Sequence, residues 1–127
     1  MFKQSIPLAL TAVLLAGCVT TRADEDGSVT ARLGQTVNAG GPRVTPLAVL
    51  EDSRCPMEAR CVWAGRLRLS VRVTTGAGSS VREIASDKPV QVADGQLELA
   101  GVMPPRSVRG PIKPSDYRFN LKFSGGL

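Results

Sequence analysis

Residues 67–73 read "LRLSVRV", and apolar and polar side chains take turns without a break. A backbone that shows successive side chains to opposite faces is a β-strand; a helix needs a repeat near 3.6. The pattern reaches back to residue 61, because Cys61, Trp63, Leu67, Leu69, Val71 and Val73 share one parity, while Arg66, Arg68, Ser70 and Arg72 share the other. Two further stretches alternate in the same way. In 28–37, "SVTARLGQTV", Val29, Ala31, Leu33 and Val37 form the apolar set. In 116–123, "DYRFNLKF", the set is Tyr117, Phe119, Leu121 and Phe123. Each predicts a half-buried strand. Weaker strands are expected at 44–50, 80–85, 90–92 and 97–103, separated by turn signals at 38–42, 76–80, 93–95 and 110–115.

Short strands with one apolar face need a second layer to cover that face. The expected fold is therefore all-β, an antiparallel β-sandwich or small barrel of about six to eight strands. No helical period appears after the N-terminal segment. "SGGL" at 124–127 reads as a tail beyond the last strand.

The chain opens "MFKQSIPLALTAVLLAGCVTT", with Lys3 its only early charge and an apolar run over 6–16. That form describes an export signal; the run is shorter than the roughly 20 residues of a spanning helix. "LAGC", Leu15-Ala16-Gly17-Cys18, resembles the lipobox of bacterial lipoproteins at all four positions. The resemblance implies cleavage before Cys18 and attachment of diacylglycerol and a further acyl chain such as palmitate to that residue. It divides the chain into a signal peptide 1–17, a polar tether 18–27 and a single β domain 28–127. Val19, standing where the family can carry Asp, implies sorting to the outer membrane in a two-membrane host. Losing Lys3 lowers the formal charge from +5 to +4, with twelve of the sixteen basic residues arginine. A basic anchored domain can meet anionic lipid or polysaccharide. Nucleic acid is not an expected partner of an exported protein.

The chain has no histidine, which removes the usual general base and the commonest metal ligand. Ser86 and Lys88 in "SDKP" read as a turn rather than a nucleophile and base. "GAGSS" lacks the strand-to-helix setting and the lysine of a phosphate loop, and Asp24, Glu25 and Asp26 lack a ligand-bearing loop. No cofactor and no metal are expected.

"DSRCPMEARCVWAGR" at 52–66 remains. Zinc would need two more ligands, and a redox pair favours a closer spacing in another fold class. With Cys18 given to lipid, Cys55 and Cys61 are an even pair in an oxidising compartment, and a disulfide is expected. Closing so short a loop contributes roughly 2 kcal/mol in the chain-entropy account. Trp63 is expected to face the core with Cys61, and Gly65 to mark a bulge or close approach.

"EDSRCP....CVWAG" also resembles a signature of small exported bacterial proteins, many of them lipoproteins, and the likeness extends to "VMPPR" at 102–106 and to "DYRFNLKF". It implies a single β domain and supplies no activity or substrate to carry over. The sequence thus predicts a non-enzymatic, membrane-anchored envelope lipoprotein with a binding or structural role. The alternative is a protein-interaction or enzyme-inhibitor module that uses the pinned loop 55–61, with Arg54, Met57 and Arg60 as anchors. Arg66, Arg68 and Arg72 form a second candidate surface, either for anionic sugar or lipid or to keep an exposed strand edge solvated. Asp52 and Glu58 flank the loop, but no carboxylate pair commends itself for catalysis, since sequence does not give their separation.

Overall fold

A computed structural model describes residues 27–125. The signal segment, Cys18 and the tether up to residue 26 lie outside the described residues, as do residues 126–127.

Eight strands follow in order: β1 (Val29–Ala31), β2 (Val37–Asn38), β3 (Arg43–Asp52), β4 (Leu67–Thr75), β5 (Gly78–Ala85), β6 (Val90–Val92), β7 (Gly95–Met103) and β8 (Arg118–Gly125). A 3-10 turn, Pro114–Asp116, precedes β8. The strands form two four-stranded sheets, β1-β8-β7-β6 and β2-β3-β4-β5, antiparallel throughout. The fold is thus an open two-sheet sandwich, not a barrel. The alternating side chains do what their period demands: Leu67, Leu69, Val71 and Val73 of β4 meet Leu97, Leu99, Phe119 and Leu121 of the facing sheet in one buried cluster.

Three expectations change. Residues 28–37 are two strands, β1 and β2, in different sheets. Gly34, at φ +81°, turns the chain between them. The Gln35 N–H donates to the Arg32 carbonyl (3.1 Å) and the Gly34 N–H to the Pro46 carbonyl (2.7 Å). The alternation survives because Val29, Ala31 and Val37 all enter the same core.

The second change concerns β4, which starts at Leu67, so Cys61 and Trp63 belong to the connection 53–66 and not to a strand. Gly65, at φ +67°, breaks the parity, and Trp63 is 83% exposed rather than in the core. The close approach expected at Gly65 is present, against the Ser53 backbone. Third, Ser124 and Gly125 are not tail but the end of β8, where Gly125 pairs with Gly95.

Connections 53–66 and 104–117 lie at the same end of the sandwich, since Asp52 pairs with Leu67 and Met103 with Arg118. The peptide bond between Met103 and Pro104 is cis.

Candidate functional site

That end is organised by Asp52, Arg54 and Tyr117. Asp52 closes β3, and Arg54 lies two residues on. The guanidinium donates from Nε to Asp52 Oδ1 (2.8 Å) and from Nη2 to Oδ2 (2.9 Å), a two-pronged pair. Its remaining reach crosses to the other sheet, where Nη1 donates to the Val102 carbonyl and Nη2 to the Pro104 carbonyl, both at 3.1 Å. Tyr117, just before β8, donates its hydroxyl to Asp52 Oδ2 at 2.8 Å and stacks on Phe119, with ring centroids 5.5 Å apart.

The bracing continues outward. Arg106 Nη1 donates to the Arg54 carbonyl (2.8 Å), and the Met57 N–H to the Arg106 carbonyl (2.9 Å). Glu58 accepts from the Ser107 hydroxyl and the Val108 N–H. The quoted stretches at 52–56 and 102–106 and the Tyr117 of "DYRFNLKF" therefore meet in one hydrogen-bonded brace. Beside it, Asp52, Pro56, Arg106, Val108, Ile112 and Tyr117 help line a cleft of about 520 Å³.

The expected disulfide is present: Cys55 and Cys61 are bonded with Cα atoms 5.9 Å apart. The loop it closes is held at its root, where the Cys55 N–H donates to the Ala64 carbonyl (3.2 Å), and internally, where the Ala59 N–H donates to Pro56 (3.0 Å). From this clamped base Met57 is 66%, Val62 91% and Trp63 83% exposed. Arg60 is also exposed, with no ion-pair partner among the described residues.

Arg54 is not a free anchor. It is spent on the brace, with a side chain only 18% exposed. The arginine stripe also separates. Arg66 precedes β4 and pairs with Glu51 (3.0 Å) and, more distantly, Asp87. Arg68 pairs with Glu83 (2.6 Å). Arg72 is exposed with no ion-pair partner among the described residues. The edge-guarding role does not fit this stripe, because β4 is a central strand between β3 and β5.

Burial opposes charge on Asp52, but hydrogen bonds from Arg54 and Tyr117, with the Arg54 charge, together outweigh it and hold the carboxyl below its ordinary range. Hydrogen bonds from Ser107 and Val108 lower Glu58 likewise. Burial, then the hydrogen bond to Asp52 and its charge, push the Tyr117 phenol up to about 12. Asp52 is lowered on folding, so its contribution is full above the ordinary carboxylate range and is lost as pH falls through the folded value. Tyr117 is raised, so its contribution is full below its ordinary 10.0 and is lost as pH climbs to about 12. Tyr117→Phe is expected to lower stability by about 1–2 kcal/mol at neutral pH. It should also remove the part of the alkaline loss between pH 10.0 and about 12 that the phenol causes, read as urea midpoints against pH. An alkaline loss as steep as that of the wild type would refute the assignment, since this is the chain's only tyrosine.

Sequence reasoning missed the exposure of Val62 and Trp63 and the roles of Arg106, Ser107 and Tyr117. The spacing of Asp52 and Arg54 held a usable signal, because residues two apart on an extended chain share a face. No protein-family model, curated protein or solved structure matches the chain.

Proposed function

We propose that the chain is a non-enzymatic lipoprotein of the cell envelope, anchored through Cys18, that binds a partner protein with the pinned loop 55–61 and the adjoining Val62 and Trp63. The exposure of Trp63, 83% beside a disulfide, carries this reading. Tryptophan is the residue most enriched at interface hot spots, and burying its side chain removes about 150–250 Å² of surface from water. At ~25 cal/mol per Å² that is roughly 4–6 kcal/mol before the costs of association. The disulfide and the brace reduce those costs, because a loop already held has less ordering entropy to lose. Met57 and Arg60 remain available as anchors, while Arg54 acts from behind by fixing the root of the loop. Support for a non-catalytic role comes from Asp52 and Glu58. Both are tied to fixed donors and held below the ordinary carboxylate range, the reverse of what a general acid needs.

The test is affinity capture from envelope extract with the full chain carrying Trp63→Ala or Met57→Ala. Trp63→Ala should weaken the captured complex about 30-fold, the scale of a 2 kcal/mol hot spot, while thermal stability stays nearly unchanged because the side chain is exposed. A partner retained with wild-type affinity by both variants would sink the loop as the contact. The anchor has its own readout in the same extracts: Cys18→Ala should lose palmitate labelling and leave the membrane fraction.

A further inference from the structure

Away from the pinned loop, a groove of about 760 Å³ runs along β5 and the connection to β6. Arg66, Arg68, Arg82 and Lys88 line it with one carboxylate, Glu83, and the rest of its lining is apolar, Pro89 and Val90 included. We propose that this groove binds a phosphate group through its oxyanions, independently of the partner-binding loop.

The four cations divide into two kinds. Arg66 and Arg68 are oriented by carboxylates, Arg66 Nε on Glu51 (3.0 Å) and Arg68 Nε on Glu83 (2.6 Å). Arg82 and Lys88 have no carboxylate within ion-pair distance among the described residues. Counting Glu83 in the groove and Glu51 and Asp87 beside it, four cations face three anions, so one positive charge is left over. Lys88 is nonetheless held in place. Its backbone exchanges hydrogen bonds with Ala85 (3.1 and 3.2 Å), and neighbouring Ser86 is bonded to Leu67 through both its N–H and its hydroxyl. The backbone that carries Lys88 is thus fixed beside β5, which carries Arg82, and both side chains keep their charge free of carboxylates among the described residues.

The chemistry of the lining selects among anions. No aromatic side chain lines the groove, so it offers no stacking platform for a sugar ring or a base. Guanidinium and ammonium donors contributed by β4, β5 and the connection to β6 suit an ion with three oxygens and nearly two charges better than a single carboxylate. The volume exceeds one phosphate group and leaves space for an organic residue over Pro89 and Val90.

Inorganic phosphate and glycerol 3-phosphate, titrated separately into the full chain in non-ionic detergent, give the test. Amide NMR shifts should saturate in the millimolar range and be confined to Arg66, Arg68 and residues 82–90. Arg82→Ala with Lys88→Ala should weaken binding roughly tenfold or more, the scale of charge-assisted hydrogen bonds. Arg43→Ala with Lys122→Ala makes the same change in net charge elsewhere and should leave affinity within about twofold, because screened charges act locally. Tighter binding of glycerol 3-phosphate would identify a phosphorylated headgroup as the source, and equal binding a free phosphate; both keep the assignment. Shifts that do not saturate, shifts centred elsewhere, or equal weakening by the two variant pairs would overturn it. Matching thermal melts exclude a folding defect as the cause.

Discussion

Replacing Arg54 with alanine should cost on the order of 3 kcal/mol of stability, because four hydrogen bonds and an ion pair leave together. The damage lies in what stays behind. Asp52, with a side chain only 12% exposed, would keep its charge with Tyr117 as its remaining hydroxyl donor. The carbonyls of Val102 and Pro104 would lose their donor from across the sandwich. Arg54→Lys should recover less than half of the loss, since an ammonium cannot meet both oxygens of Asp52 and both carbonyls from one plane. The Asp52→Ala, Arg54→Ala double variant should show a coupling above about 1 kcal/mol in a double-mutant cycle. Urea denaturation of the full chain reads all of these. A single-variant loss within about 0.5 kcal/mol, the range of ordinary surface substitutions, would mean the brace is decoration.

Gly65→Ala should be comparably harmful, by a different route. Its φ of +67° is a left-handed conformation that an L side chain enters at a cost of about 1–2 kcal/mol. Space is the harder obstacle. A Cβ at Gly65 would lie 1.8 Å from the Ser53 carbonyl oxygen and 2.5 Å from its carbon. Those are backbone atoms, so one side of the loop must move. The contacts that would yield are Ser53 N–H to the Arg66 carbonyl (2.8 Å) and Arg66 N–H to the Ser53 hydroxyl (3.0 Å). A total loss of about 3 kcal/mol or more is expected, with faster hydrogen exchange at the Ser53, Cys55 and Arg66 amides. Gly76→Ala is the matched control, because nothing lies within 4 Å of its Cβ position. Equal stability of the two variants would refute the account.

Most strands were legible because burial imposes a period of two wherever one face meets a core. β6 lies at the expected residues, and β3, β5 and β7 extend the expected spans by only a few residues. The pattern failed at two glycines with positive φ. At Gly34 the chain changed sheets without changing parity, and alternation reports which side of a strand is buried, not which sheet the strand joins. At Gly65 the parity was reset, so counting backward from Leu67 placed Trp63 inside. The assumption that the largest apolar side chain must be core reinforced that error. The disulfide could be anticipated from counting cysteines once one was assigned to lipid. The cross-sheet part of the brace could not, because Arg54 and Pro104 are 50 residues apart and Asp52 and Tyr117 are 65 apart, and no local period connects them.

The crossover at 28–37 also ties the two sheets to each other. Along the described chain β1 comes first, its three residues pairing with Phe119, Asn120 and Leu121 in the first half of β8. The chain then turns at Gly34, whose N–H holds the Pro46 carbonyl of β3, and continues into β2 along the other sheet. One short segment is thereby bonded to both layers. The two halves of what looked like one strand act as a strap across the sandwich, with its buckle at Gly34 and Pro46.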